Sequence, residues 1–393
     1  MWVSLAPGPE ISVAEQPGPV ETPQIRRRAA WVDNLRVALI IGVIAAHVAT
    51  AYIIDFDWYY MERGASGISE IVLWVIFGPG LLFGMGLLFL IAGLFTPFSF
   101  ERKGAGRFVR GRLMRLGIPL VTFMVLIDPL TDFVGHHAMG EANGFIEYLD
   151  RWWHQDADLG PGWFIAALLV FSLAYAVWRT LRPAHGSQID RLTVRQLVKA
   201  GALMAIASFL VRLRWPFGSD TVLRLNQWEF PQMITLFALG TLAAERGWLR
   251  EGIPDRLRRR CGWAALGGAV MALLVGVSMN ISGDEDSYLG GFHFEALAIP
   301  VIEAVIAIGM SLWMIEWFRR RWDHTGSFAR GLGRASFAAY IIHPPVVVLI
   351  SVAIRSLAAP IEVKFLVVFA IGAAASFALG FLLTRWSPVG RIV

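Results

Sequence analysis

Ten apolar stretches divide this chain, at about 33–54, 70–96, 112–130, 161–181, 197–213, 228–245, 261–279, 294–318, 335–357 and 363–385. Most match the ~20 residues that a helix needs to cross a hydrocarbon core of ~30 Å. No other feature limits the fold so strongly. In lipid a free backbone amide or carbonyl finds no water, so each stretch must close its own hydrogen bonds as a helix. The expected fold is an all-α polytopic membrane protein with about ten transmembrane helices and no soluble domain. The stretch at 197–213 is the shortest and ends at Arg212 and Arg214. Composition agrees: 17% of the residues are charged, against about 25% in soluble proteins.

Residues 1–28 hold Pro7, Pro9, Pro17, Pro19 and Pro23 and end in Arg26, Arg27 and Arg28. They read as a disordered cytoplasmic tail ahead of a membrane domain at 29–393. A signal peptide would also put basic residues before an apolar core, but this tail is long and the following stretch is long enough to span. Ten spans put both termini on one side, and the loops on the tail's side are arginine-rich. They carry Arg102, Lys103, Arg107 and Arg110, then Arg179 to Arg195, then Arg246 to Arg260, then Arg319 to Arg334. The opposite loops carry few cations, with a weak exception near 212–224, and hold Asp55, Asp57, Trp58, Tyr59, Tyr60, Trp152, Trp153 and Asp284 to Asp286. By the positive-inside rule both termini are cytoplasmic. The net charge of +5 belongs to this asymmetry and gives no reason to expect a nucleic-acid partner. The single cysteine, Cys261, excludes an internal disulfide and a cysteine-based metal site. The sequence has no P-loop, nucleotide fingerprint or His/Glu zinc motif, and no internal repeat of the inverted-transporter kind. No metal and no tightly bound cofactor are expected.

Ionisable residues at membrane depth are costly and mark functional candidates. His47 is one. It lies eleven residues after Arg36, three helical turns plus about 20°, so the two share one helix face about 16 Å apart. Alone, His47 is equally a buried histidine bonded to a carbonyl; a neutral imidazole there could also accept a proton from a hydroxyl. Asp33 is either a helix N-cap paired with Arg36 or a group that orients it. Arg112 and Arg115 share a face at the start of the third stretch, either as snorkelling anchors or as a clamp for phosphates. Glu303 sits near mid-depth in the eighth stretch, as a structural group or as part of a polar channel. Tyr340 and His343 precede Pro344 and Pro345, which leave the carbonyls of Tyr340 and Ile341 without their usual amide partners. Gly160-Pro161-Gly162-Trp163 reads as a turn with an interfacial tryptophan rather than as a site.

Four of these features together resemble acyltransferase family three: the Asp33-Asn34-Leu35-Arg36 opening, the arginine followed by His47, the Arg112-x-x-Arg115 pair, and the run from Ala335-Ser336-Phe337 to Tyr340-Ile341-Ile342-His343-Pro344. The resemblance covers about 31–386. The opening and the Arg115-Leu-Gly-Ile-Pro119 run are most similar to the branch that contains glucan succinyltransferases. The resemblance implies a bacterial inner-membrane enzyme that takes an acyl group from cytoplasmic acyl-CoA to a glycan or glycolipid on the outer side. It implies that His47 is the catalytic base and that Arg36, Arg112 and Arg115 serve the donor. Some relatives carry an added periplasmic hydrolase-like domain or an extra helix; no such segment is visible here, so a relay to one is not expected.

The sequence therefore favours an O-acyltransferase that moves acetyl or succinyl to a cell-envelope carbohydrate hydroxyl. Two alternatives stand beside it: a transporter or flippase using His47 and Glu303 as intramembrane polar groups, and an N-acyltransferase of an amino sugar.

Overall fold

The computed structural model describes residues 29–52, 58–62, 82–142, 144–156, 158–182, 191–219, 225–249, 252–324 and 326–386, with three isolated positions between 63 and 81. The N-terminal tail and the first part of the second apolar stretch lie outside the described residues. Among the described residues ten principal helices follow in order: α1 (Ala30–Tyr52), α2 (Gly84–Lys103), α3 (Ala105–Met139), α4 (Trp163–Leu181), α5 (Val194–Arg212), α6 (Phe230–Glu245), α7 (Asp255–Ser282), α8 (Ala298–Arg321), α9 (Ser327–Ala353) and α10 (Ile361–Arg385). Among the described residues there is no strand. Nine of these helices, with the short turns that open some of them, are long and apolar enough to cross a membrane. The other, α6, has 16 residues and is preceded by a 3-10 turn at Gln227–Glu229. The chain is an all-α polytopic membrane protein.

Large apolar side chains point away from the bundle, as lipid allows and water would not. Val121 is 58% exposed, Leu203 66% and Leu366 60%. Inside, helices meet at small residues, which let backbones approach in the absence of a hydrophobic drive between helices. Gly93 of α2 and Gly240 of α6 face each other, and a Cβ on either would lie 3.1 Å from the other's Cα.

The third helix differs most from the sequence expectation. It runs 35 residues, from Ala105 to Met139, so the segment between the third and fourth apolar stretches is helical to Met139 and again at Phe145–Arg151. Two π-helical turns explain how it passes two prolines. Leu113–Gly117 closes with the Ile118 amide on the Leu113 carbonyl, and Phe123–Ile127 with the Asp128 amide on the Phe123 carbonyl. Pro119 and Pro129 follow directly. A proline clashes with the carbonyl four residues back, and a locally wider turn relieves that clash without ending the helix. Such turns recur at functional sites; here one contains Arg115 and the other delivers Asp128.

Both ends of the bundle are clasped by ion pairs. At the arginine-rich end, buried Glu316 accepts from Arg319 at 2.9 Å, Arg320 at 2.5 Å and the Ile253 amide at 3.0 Å. At the opposite end, buried Lys364 donates to Glu62 at 2.5 Å and to the Arg355 carbonyl at 2.9 Å, and Tyr60 donates to Glu62 at 3.2 Å. That second clasp holds residues 58–62 down on the helices.

Candidate active site

His47 lies seventeen residues beyond Ala30, roughly 26 Å along α1, and only one turn from the helix end at Tyr52. It therefore sits in the half of the bundle away from the basic loops. Helix α9 runs beside α1. At one end Gly333 admits Asp33, whose Cβ would lie 2.9 Å from any Cβ at 333. At the other, His47 meets His343 edge to edge: the ring planes differ by 23° with centroids 4.9 Å apart, and Nε2 of His343 is 2.8 Å from Nδ1 of His47. His343 is fully buried, whereas His47 is half-buried.

The prolines of α9 do not break it; Pro344 and Pro345 lie inside a continuous 27-residue helix. The carbonyl that Pro344 leaves free, that of Tyr340, is taken by Nδ1 of His343 at 2.5 Å. The Tyr340 hydroxyl donates in turn to the carbonyl of Pro161. The Gly160–Gly162 turn is thus packed against α9 at this site, although its sequence reads as a simple surface turn.

One face of His47 is covered by Trp58, stacked at 4.5 Å and 16°. Tyr59 packs edge-on to Trp58, and its hydroxyl donates to Asp128, which is 1% exposed. Burial, and then the carboxylates of Asp128 and Asp158, push the Tyr59 phenol well above its ordinary range, so it stays a donor. Two glycines make room for this loop. Gly135 of α3 lets the Tyr59 backbone lie on the helix, and Gly160, at φ +39°, leaves space for Tyr59 and Asp128 that a side chain would fill.

The remaining candidates lie elsewhere. Arg112 is half-buried and Arg115 exposed at the basic end of α3. With Lys103, both are close enough for mutual repulsion. Arg112 also donates to Thr96 at 3.2 Å and lies over the Phe108 ring. Arg36 is half-buried in the second turn of α1. Asp33 is in the first turn of that helix rather than at its N-cap, because the helix begins three residues earlier, at Ala30. Glu303 is not beside the histidines. It is buried in an ion pair with Arg212 at 2.5 Å and accepts from Gln232 at 2.9 Å.

The sequence reading passed over Trp58, Tyr59, Asp128 and the Pro161 carbonyl as parts of a site. Asp128 was accessible to the same criterion that selected His47, since it is an acid inside the stretch at 112–130. Trp58 and Tyr59 were not, because a tryptophan and a tyrosine at the end of a span are the ordinary interfacial pattern.

A family model described as an acyltransferase domain matches residues 29–385 of this chain. The chain belongs to acyltransferase family 3. That match spans nearly the whole chain and includes all ten helices, so the His47–His343 pair lies within the acyltransferase-3 domain. The protein is a membrane acyltransferase. No curated protein matches the chain, and no solved structure does.

Proposed function

We propose that this acyltransferase moves an acyl group, acetyl or succinyl, from acyl-CoA at its arginine-rich end to a hydroxyl of a cell-envelope carbohydrate at the opposite end. The observation that carries this reading is the separation of two unlike sites along the bundle. Lys103, Arg112 and Arg115 form a cationic group at one end, and the half-buried imidazole of His47 lies toward the other. Guanidinium groups suit the phosphates of coenzyme A. A neutral imidazole suits the deprotonation of a hydroxyl near neutral pH.

In the proposed reaction the donor's phosphates stay at the basic end and its thioester reaches His47. His47 takes the acceptor's hydroxyl proton as that oxygen attacks the thioester carbonyl. The tetrahedral intermediate then expels the thiolate, which takes the proton back from His47. The products are an ester and the free thiol of coenzyme A. By this reading Asp33 and Arg36 support the donor's path along α1, and the protein sits in a bacterial inner membrane with both termini cytoplasmic.

The test is purified protein in lipid nanodiscs and in sealed vesicles, supplied with acyl-CoA and envelope glycans. Thiol release with mass gain on the glycan, and no net solute movement, is the expected result. Solute movement without thiol release would select the transporter reading. Mild alkali separates the remaining alternative, since an ester is lost and an amide on an amino sugar survives.

Arg112→Ala and Arg115→Ala are each expected to raise the acyl-CoA concentration needed for half-maximal rate by about tenfold, about 1.4 kcal/mol, without lowering protein yield. Lysine should restore only part, because it lacks the planar fork. If the double alanine variant keeps its donor dependence, these arginines anchor the helix and no more.

Orientation has its own test. Cysteines placed at 101–111 and 251–259 should label from the cytoplasm, and those at 140–158 and 283–288 from outside. The one native cysteine, Cys261, is buried and leaves a low background. An outward label at 101–111 would invert the topology and remove the donor argument.

A further inference from the structure

We propose that His343 is a positioning residue for His47, and that Pro344 sets the proton arrangement of the pair so that Nε2 of His47 is the atom that accepts the substrate proton. This rests on His47 being the base, and it adds which nitrogen acts and what fixes it.

The argument begins with the missing amide. In an α-helix the amide of residue 344 would donate to the carbonyl of residue 340. Proline has none, so the Tyr340 carbonyl is left with an unused lone pair inside an apolar span, where such a group is costly. Nδ1 of His343 lies 2.5 Å from that oxygen. A carbonyl oxygen can only accept, so Nδ1 of His343 must carry a proton and donate it.

For a neutral His343 the other ring nitrogen, Nε2, is then an acceptor. It lies 2.8 Å from Nδ1 of His47, and only one of two facing nitrogens can hold the proton. Nδ1 of His47 must therefore donate, and a neutral His47 has its lone pair at Nε2. Among the described residues nothing hydrogen-bonds Nε2 of His47. The stacked Trp58 ring at 4.5 Å keeps the imidazole plane from turning.

The same chain of bonds serves the proton step. When Nε2 of His47 takes the hydroxyl proton, the new imidazolium already donates from Nδ1 to His343, which donates from its own Nδ1 to the Tyr340 carbonyl. In serine hydrolases a carboxylate holds the catalytic histidine in its tautomer. Here a neutral histidine and a backbone carbonyl freed by proline occupy that place, with no carboxylate hydrogen-bonded to either ring among the described residues.

The test uses the full-length protein, labelled with 15N at histidine, in nanodiscs. The chain has eight histidines, and the signals of interest are assigned by their loss in His47→Gln and His343→Gln. Both residues should be neutral, each with its proton on Nδ1. His343→Gln places an amide oxygen where Nε2 was and can still accept from His47. It should keep the His47 tautomer and at least about a third of the wild-type kcat, whereas His343→Leu should mix the tautomers and lower kcat on the order of 10²-fold, with the donor KM unchanged. An Nε2 proton on either residue, a doubly protonated His343 at rest, or a His343→Leu variant with wild-type kcat would overturn the proposal. The tautomers are read without substrate, so the positioning claim fails or stands on them even if acyl-CoA proves not to be the donor.

Discussion

His47→Gln is expected to lower acyl transfer by about 10²–10⁴-fold, the usual contribution of a positioned general base, in a protein that still folds and still binds acyl-CoA. Glutamine is the informative replacement. Its amide can hydrogen-bond to Nε2 of His343, as Nδ1 of His47 does at 2.8 Å, but it takes up no proton near neutral pH. His47 is half-buried, with one face on Trp58 and its edge against His343, so a planar amide of similar reach leaves the packing largely intact. Thermal unfolding, donor binding and single-turnover transfer should be measured on one preparation. A well-folded Gln variant with near wild-type transfer would remove His47 as the base and leave His343 and Asp128 as the groups to examine.

Glu303→Ala is expected to destabilise the folded protein by about 3–5 kcal/mol, because it strands a buried cation. Arg212 is 2% exposed, and its Nε and Nη1 have no hydrogen-bond partner among the described residues. Its compensation includes the Glu303 carboxylate at 2.5 Å, the Trp228 carbonyl at 3.5 Å, the nearby Glu229, and the faces of Phe217 and Trp228, 5.0 and 5.9 Å from the guanidinium carbon. Gln232 would lose an acceptor as well, keeping its bond to the Leu82 carbonyl. Removing both charges together, as Arg212→Met with Glu303→Leu, should recover much of the loss, since apolar pairs often replace buried ion pairs at little cost. Reversible unfolding in detergent micelles would measure it. A Glu303→Ala protein as stable as wild type would show that the pair carries no stability. A stable Glu303→Gln protein with no transfer would move Glu303 into the reaction.

Asp128 and Glu303 show what kind of information the sequence held. Both are acids inside apolar stretches, and both are nearly fully buried. Hydropathy marks each as unusual but cannot say that one meets a tyrosine hydroxyl from a loop sixty-nine positions away and the other an arginine ninety-one positions away. Arg212 is instructive for the same reason. It ends the weakest apolar stretch and reads as a surface cation, yet the fold turns it inward onto Glu303.

What the sequence alone determined is the architecture: helices in every apolar stretch with described residues and the arginine-rich loops at alternate turns. The reason is that lipid removes the competing choices. A backbone in hydrocarbon has to be helical, and long apolar runs are visible without knowing their neighbours. It also marked His47, Tyr340, His343 and the proline-freed carbonyl, because each is costly where it stands. What only the tertiary structure decided is which costs cancel. His343 satisfies the Tyr340 carbonyl from within its own helix, but its bond to His47 joins positions 296 apart in sequence. That pairing depends on the rotation of α9 about its axis and on its contact with α1. Trp58 covers His47 from a loop that Lys364 and Glu62 clasp. Such contacts depend on helix rotation and loop placement, which periodicity within one segment does not encode.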